Sequence, residues 1–429
     1  MSISRRAFLL ATGAVAGSAV LSACGSKGGS AASPSGEVEV FSWWTEGAEN
    51  AGLQALLADL KLNQPHINFV NRAVAGGAGA NAKAELAKRL DANNPPDSFQ
   101  GHAGAELSDY ISAGKLEDLN DLYAEQKWTD VFPEQLLPLI SSGSKYYSVP
   151  VNIHRANMLW SNPKVVRAVG AETAPTSIPA FLSSLQKVKR AGSKVPLVLG
   201  DSWTLKHLLE TVMLAALGHA GWSALWKQGA DWNSGKITQA LEYYHQVLGF
   251  TNVSSPASTW DAATTMLGDG RAAYQIMGDW AEASLKTTQN LQAHTDYEWA
   301  PVPGTKGTFQ FLSDSFTLPK GAKHRDTALA WLRECGSKSG QLGFNGAKGS
   351  IPTLTNLNAE DRALFGEYLQ WSMDEWKRCQ IVGSLTHGVV ANNAWNADID
   401  QAVADFAKNP QVPAFQQALA AAAQKHLNA

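Results

Sequence analysis

The sequence predicts an α/β protein built as two domains, and three observations carry that reading. Strand-like and helix-like patterns alternate over the first hundred residues beyond a polar tether, as in a parallel sheet covered by helices. Roughly 390 residues follow that tether, too many for a single hydrophobic core and about right for two. A hydrophobic content of 45% with 17% charged residues describes an ordinary folded chain rather than a disordered one.

The elements follow in order. Residues 38–43 alternate as a strand and run into Trp43-Trp44-Thr45-Glu46-Gly47. Residues 48–63 carry Leu53, Leu56, Leu57 and Leu60 at helical spacing. A second strand is expected at 67–70, a helix at 81–90, and a short strand and loop around His102 after Pro95-Pro96. The stretch 145–152 reads as an extended segment leaving the first domain. Helical periodicity dominates 179–248, with the nearly apolar stretch 205–217 expected to be buried. Strands are expected at 272–277 and 297–302, and Phe316-Thr317-Leu318 extends after Ser313-Asp314-Ser315. A helix is expected at 325–335, and the C-terminal third reads as helical. The run Gly76 to Gly79 lacks the Lys-Ser/Thr of a phosphate loop and is read as a close approach between a strand and a helix.

The chain opens with Arg5-Arg6, then Phe8-Leu9-Leu10 and an apolar run ending in Leu21-Ser22-Ala23-Cys24. A basic start, a short apolar core and small residues before a cleavage point form a secretory leader over residues 1–23. Three Gly/Thr breaks and a length below the ~20 residues of a spanning helix argue against a membrane anchor. Arg5-Arg6 resembles a twin-arginine signal, although Leu10 stands where a basic residue is common. Leu21 to Cys24 resembles a lipobox, in which Cys24 becomes the lipidated N-terminus. Residues 24–36 are Gly/Ser-rich and read as a flexible tether. The expected location is therefore outside the cytoplasmic membrane, anchored through a lipid on Cys24.

Net charge and cysteine content narrow the function further. The whole chain carries −3; without Arg5 and Arg6, the 35 Lys and Arg become 33 against 38 Asp and Glu, or −5. With no basic stripe, nucleic acid is not an expected partner. Cys335 and Cys379 are left either to pair or to remain buried thiols. No Cys-x-x-Cys or His-Glu-x-x-His spacing is present, so neither a metal nor another cofactor is expected.

Fifteen tryptophans are unusual, and Trp43, Trp44, Trp203, Trp260 and Trp280 stand in loop-like surroundings. Exposed indoles of that kind suit a ligand with flat apolar faces. The blocks Phe41-Ser42-Trp43-Trp44, Gly76 to Asn81, Gln100-Gly101-His102-Ala103-Gly104, Ser148 to Arg155, Gly278-Asp279-Trp280-Ala281, Leu312 to Phe316, Lys348 to Ile351 and Ile381 to Gly388 carry a resemblance. In their order and spacing they resemble the extracellular sugar-binding proteins of ATP-driven importers, with the glucose (glucose/mannose/galactose) binders as the nearest branch. The resemblance spans the mature chain. It implies a bilobed fold of the periplasmic, maltose-binding-protein-like type, closing on a sugar in a cleft between two lobes. The N-terminal lobe would comprise 37–150 plus 278–343, and the C-terminal lobe 151–277 plus 344–429. Crossings are expected at 149–152, near Gly278 and at 344–348.

The same resemblance implies a ligand set of Trp44, Glu49, His102, Trp260, Trp280, Asp314, Lys348 and His387, with Trp43, Gln100 and Asp279 beside them. Glu46 competes with Glu49 for one position. Aromatic faces suit the apolar face of a sugar, and carboxylates and amides suit its hydroxyls. Each residue also has a structural alternative. One of Trp43 and Trp44 can cap the core, and Trp260 can staple the following helix. A lone histidine is usually a hydrogen-bonded structural residue, which is the reading kept for His154. Asp314 lies before a strand rather than a helix, which argues against an N-cap. The implied function is capture of a glucose-like monosaccharide by a monomer for an ABC permease, without catalysis. The rival is a glycosidase using two of Glu49, Asp279 and Asp314, or a binder of di- or oligosaccharides. Asp314→Ala is expected to abolish binding with little effect on the stability of the ligand-free protein.

Overall fold

The computed structural model describes residues 35–76 and 79–427. The leader, Cys24, most of the tether, and Gly77 and Ala78 lie outside the described residues. The first strand, Gly36–Phe41, begins two residues earlier than the alternation indicated. It is the second strand of a five-stranded sheet ordered Ile67–Asn71, Gly36–Phe41, Ser98–His102, Asp314–Thr317, Ser148–Pro150. The first three strands are parallel, as the alternation predicts. The other two pairings are antiparallel, because Asp314–Thr317 enters from a distant part of the chain.

Helix Gly47–Asn63 buries Leu53, Leu56 and Leu60 and packs along helix Lys338–Lys348. Gly52 makes that closeness possible: a Cβ there would lie 2.9 Å from Lys348 Cβ and 3.2 Å from the Phe344 ring. The packing brings Lys348 to the open end of the first sheet. Trp44 is fully buried against Phe316 and Phe344, with ring centroids 5.5 and 5.0 Å away, so one member of the tryptophan pair does cap the core.

The second lobe holds a sheet ordered Glu298–Pro301, Met158–Ser161, Ala272–Ile276, Val195–Leu197. A smaller sheet joins Gln380–Gly383, Thr308–Leu312 and His154–Arg155. Helices Ile178–Ala191, Trp203–Ala224 and Gly235–Leu248 account for the long helical pattern, which hid the short strand Val195–Leu197. Trp203–Ala224 bends at Gly218, whose φ is 68°. Its burial is not simply apolar, since Lys206, His207 and Glu210 are buried with it.

The strand pairings redraw the expected lobe boundaries. Residues 278–343 do not join the first lobe as one block, because Glu298–Pro301 and Thr308–Leu312 pair with second-lobe strands. Each must find partners for its backbone N–H and C=O groups, and periodicity within a strand does not say where those partners are. The chain passes between lobes at Val151 to Ile153, around Ser313, and at Gly349 to Ile351. Ile153 and Ile351 exchange backbone hydrogen bonds of 2.8 and 3.0 Å, tying two crossings together. The expected crossing near Gly278 is not one. The segment after it leans on helix Gly47–Asn63 and returns to the second sheet. Cys335 and Cys379 are free thiols. No described helix is long and apolar enough to cross a membrane.

Candidate ligand site

The parallel strands of the first sheet end at one edge, where open α/β sheets bind ligands. Trp43 and Trp44 follow Gly36–Phe41, and His102 is the last residue of its strand. The antiparallel register sets Asp314 directly opposite His102. These groups form the floor of a cavity of about 280 Å³ between the lobes. Glu49 and Lys348 line it from the packed helix pair. Trp203, Trp260, Trp280 and His387 line it from the second lobe, with Asp201, Asp261 and Glu46 also in its wall.

Nine of the eleven expected ligand residues border this one cavity: Trp43, Trp44, Glu49, His102, Trp260, Trp280, Asp314, Lys348 and His387. Gln100 and Asp279 do not; both lie behind it. Gln100 Nε2 donates to Asp314 Oδ1 at 2.8 Å, and its Oε1 accepts from the Trp43 N–H at 3.2 Å. Asp279, fully buried, is hydrogen-bonded to His154 Nδ1 and accepts the Arg155 N–H at 2.9 Å. His154, read from sequence as structural, lines the cavity and reaches Lys348, its Nε2 lying 3.2 Å from Nζ. It lies within the motif block Ser148 to Arg155, but nothing in its local sequence separates it from a core histidine. Trp203 had a signal in its loop-like surroundings. Gly79 also gains a role: with φ at 87°, its missing Cβ lets the backbone lie against the Trp43 ring, where a Cβ would come within 2.8 Å.

A family model described as bacterial extracellular solute-binding protein matches residues 44–342. The chain belongs to that family. An ABC transporter extracellular-binding protein of Pyrococcus horikoshii is 31% identical over 88% of this chain and 85% of its own length. A probable sugar-binding periplasmic protein of Mesorhizobium japonicum is 30% identical over 76% of this chain and 78% of its own. Among solved structures, the bacterial solute receptor AcbH superposes with a TM-score of 0.78 at 17% identity, covering 91% of this chain and 98% of that one. A chitin oligosaccharide binding protein gives 0.79 at 16%, covering 92% and 100%. These likenesses show the bilobed, maltose-binding-protein-like fold.

The electrostatics of this solute-binding protein differ from wall to wall. Burial works to raise the Asp314 carboxyl, but His102, Lys348 and His154, with the Asn152 amide, together hold it below its ordinary value. Asn152 Nδ2 donates to Asp314 Oδ2 at 2.8 Å, and Asn152 Oδ1 accepts the Asp314 N–H at 2.8 Å. Burial pushes Glu49 up to about 7 against the pull of Lys348, which lies 3.7 Å away. Burial also opposes ionisation of Glu106, but Lys83 and His102 draw it down to about 2. Glu106 accepts from Lys83 Nζ at 2.7 Å and lies 2.9 Å from His102 Nδ1. Burial, then the Lys348 ammonium, hold His154 well below the usual imidazole range. His387 is lowered likewise, by burial and then by His102 and His207.

Trp280 is the hub of the aromatic wall. Its ring centroid lies 5.2 Å from His154, 5.3 Å from His387 and 6.4 Å from both Trp203 and Trp260. Beyond it, His207, Glu210 and His387 bring potential metal ligands within 4.8 Å of one another. Glu210 is already occupied, however. It accepts from the Ser384 hydroxyl, the Leu385 and Thr386 N–H groups and Gln310 Nε2, all of which a cation would have to replace.

Proposed function

We propose that this protein captures a glucose-like monosaccharide outside the membrane and presents it to the permease of an ABC importer, without catalysing a reaction. The supporting observation is the cavity itself. At about 280 Å³ it falls just below the usual range of ligand pockets, ~300–1,000 Å³. Tryptophan faces line it together with fixed carboxylate, ammonium and imidazole groups, the pairing that a sugar's apolar face and hydroxyls require. In this reading Trp43, Trp260 and Trp280 stack on the sugar and Trp44 backs them from the core, while Glu49, His102, Asp314, Lys348 and His387 read its hydroxyls. Gln100 and Asp279 act from behind, by holding Asp314 and His154. Glu46 stays at the rim.

The relatives' names and the preference of AcbH for galactopyranose support a sugar ligand. A second reading, a di- or oligosaccharide, is favoured by the rim residues Glu46, Asp261 and Thr288 and by the chitin oligosaccharide neighbour. Against a glycosidase, Asp279 is enclosed behind His154, and Asp314 is engaged by two amides. Neither arrangement leaves a free carboxyl pair flanking a bond. We place the protein on the outer face of the cytoplasmic membrane as a monomer tethered by lipidated Cys24, after export by the twin-arginine or the general secretory route; Cys24→Ala should abolish lipid labelling of the protein.

Calorimetry with D-glucose, D-galactose, D-mannose and maltose, together with a chromogenic glucoside assay, tests the reading. One-to-one saturable heat with a hexose and no chromophore release is expected. Tighter binding of maltose than of any hexose favours the oligosaccharide reading, and glucoside turnover without saturable heat sinks the transport one.

A further inference from the structure

We infer that Glu210, acting through the Ser384 hydroxyl, fixes His387 as the tautomer protonated on Nδ1, so that Nε2 presents a hydrogen-bond acceptor to the cavity. The inference rests on reading the cavity as the sugar site and adds what one wall of it demands of a ligand.

Glu210 lies on helix Trp203–Ala224 and is fully buried. Its Oε2 receives the Leu385 N–H at 2.6 Å, the Thr386 N–H at 3.2 Å and Gln310 Nε2 at 3.3 Å. Amide N–H groups can only donate, so the carboxylate oxygen they converge on acts as an acceptor. Ser384 Oγ sits 3.0 Å from both of its oxygens and must give its single proton to one of them. Two lone pairs remain on that oxygen. One accepts the His387 backbone N–H at 3.3 Å, and the other faces His387 Nδ1 at 2.9 Å. With no proton left on Ser384 to offer, Nδ1 must carry its own. Nε2 of a neutral ring is then a bare acceptor. The other charged or titratable groups around this ring are His207, whose Nδ1 lies 3.2 Å from Glu210 Oε1, His102, 5.6 Å away centroid to centroid, and Lys83 and His154.

His154 shows the opposite use of the same device. Asp279 lies at its Nδ1 and Lys348 at its Nε2. A lysine ammonium only donates, so the Nε2 lone pair is consumed in holding Lys348, and the group presented to the cavity is a donor. One relay therefore ends on a donor and the other on an acceptor. A ligand hydroxyl placed at His387 has to donate, and a substituent that only accepts, such as fluorine or an ether oxygen, leaves two acceptors facing each other.

Long-range ¹H–¹⁵N spectra of the ¹⁵N-labelled full chain read the tautomer without any ligand. His387, assigned by the signal lost in His387→Asn, is expected to show a protonated Nδ1 and a bare Nε2. A protonated Nε2, or an imidazolium at pH 7, overturns the inference whether or not any sugar binds. Ser384→Ala is expected to give a mixture of tautomers, and a pure Nδ1–H ring there overturns the role of Glu210 and Ser384. Should that variant not fold, the wild-type spectra still decide. Titration with D-glucose and its monodeoxy and monofluoro analogues gives the functional arm. At one ring position the fluoro sugar should bind on the order of tenfold more weakly than glucose, a preference that shrinks in Ser384→Ala. Unchanged discrimination at every position overturns the inference. Absence of heat with glucose, galactose, mannose and maltose alike removes the sugar reading and leaves the tautomer assignment standing on the spectra.

Discussion

The strand-built floor of the cavity and its helix-borne side carry the same kind of group in opposite states. Asp314 on the floor is met by Gln100 and Asn152 on both oxygens, with Asn152 also fixing its backbone, and its carboxyl is held low. Glu49, in the first turn of helix Gly47–Asn63, has Lys348 at 3.7 Å, and its carboxyl is raised to about 7. Burial acts on both; the donors decide between them. At the end of its strand, Asp314 meets Gln100 from the adjoining strand and Asn152 from the crossing segment. A helix terminus packed on one partner helix supplies fewer. The floor is therefore preorganised, and the helical side is tunable.

The largest expected effect comes from breaking the floor. Asp314→Ala should abolish sugar binding, and it should also destabilise the ligand-free protein by ~3–5 kcal/mol, since it strands two buried amides beside Lys348 and two histidines. This revises the expectation from sequence, in which only affinity was to suffer. Urea unfolding of the apo variant checks it; wild-type stability with affinity gone would show that the floor is not a structural network. The pH dependence has a definite sign. A lowered folded pKa contributes stability above the ordinary value of 3.8, and that stability is lost as pH falls through the folded value.

A smaller effect is expected where the second lobe docks on the first. The Ala105 and Glu106 N–H groups donate to Val389 and Gly388 carbonyls at 3.0 and 2.9 Å. Gly104 has φ at 113°, and a Cβ there would lie 2.5 Å from the Val389 oxygen. Gly104→Ala should hold the lobes apart and weaken sugar binding roughly tenfold. Calorimetry and small-angle scattering would read this as lost affinity with a larger radius in the presence of sugar. An unaltered radius would place the docking outside the closing motion.

The smallest effect tests the tunable side. A carboxyl raised from 4.5 to about 7 binds its proton more tightly in the folded state, so stability falls as pH rises through that window. Glu49→Gln should flatten this part of the curve and melt roughly 2–4 °C above wild type at pH 8, with no difference at pH 4. Equal melting at both pH values would mean that Glu49 is solvated as an ordinary surface acid.

Much of this was legible along the chain. The strand ending in Trp43-Trp44, the helices flanking Leu53 and Arg325, and the motif positions around Asp314, Lys348 and His387 all carry local signatures. Glu106 and Glu210 carried none, and His154, although inside the block Ser148 to Arg155, read as structural. His154 takes its place from Asp279 and Lys348, and Glu210 from Gln310 and Ser384, all far away in sequence, whereas Glu106 is fixed by Lys83 and by His102, four residues before it. Asp279 had the motif but sits one layer behind the wall, because Trp280 next to it turns into the cavity while the carboxylate turns back to His154.

The sequence by itself determined the α/β class, the first sheet's parallel core and most residues of the cavity, because periodicity and short motifs are properties of neighbouring residues. Only the tertiary structure decided which strands belong to which lobe, where the chain crosses, and which way each buried proton faces. Those depend on hydrogen-bond partners such as Asn152 and Asp314, or Glu210 and Ser384, that are 162 and 174 residues apart and meet only when the sheets are assembled.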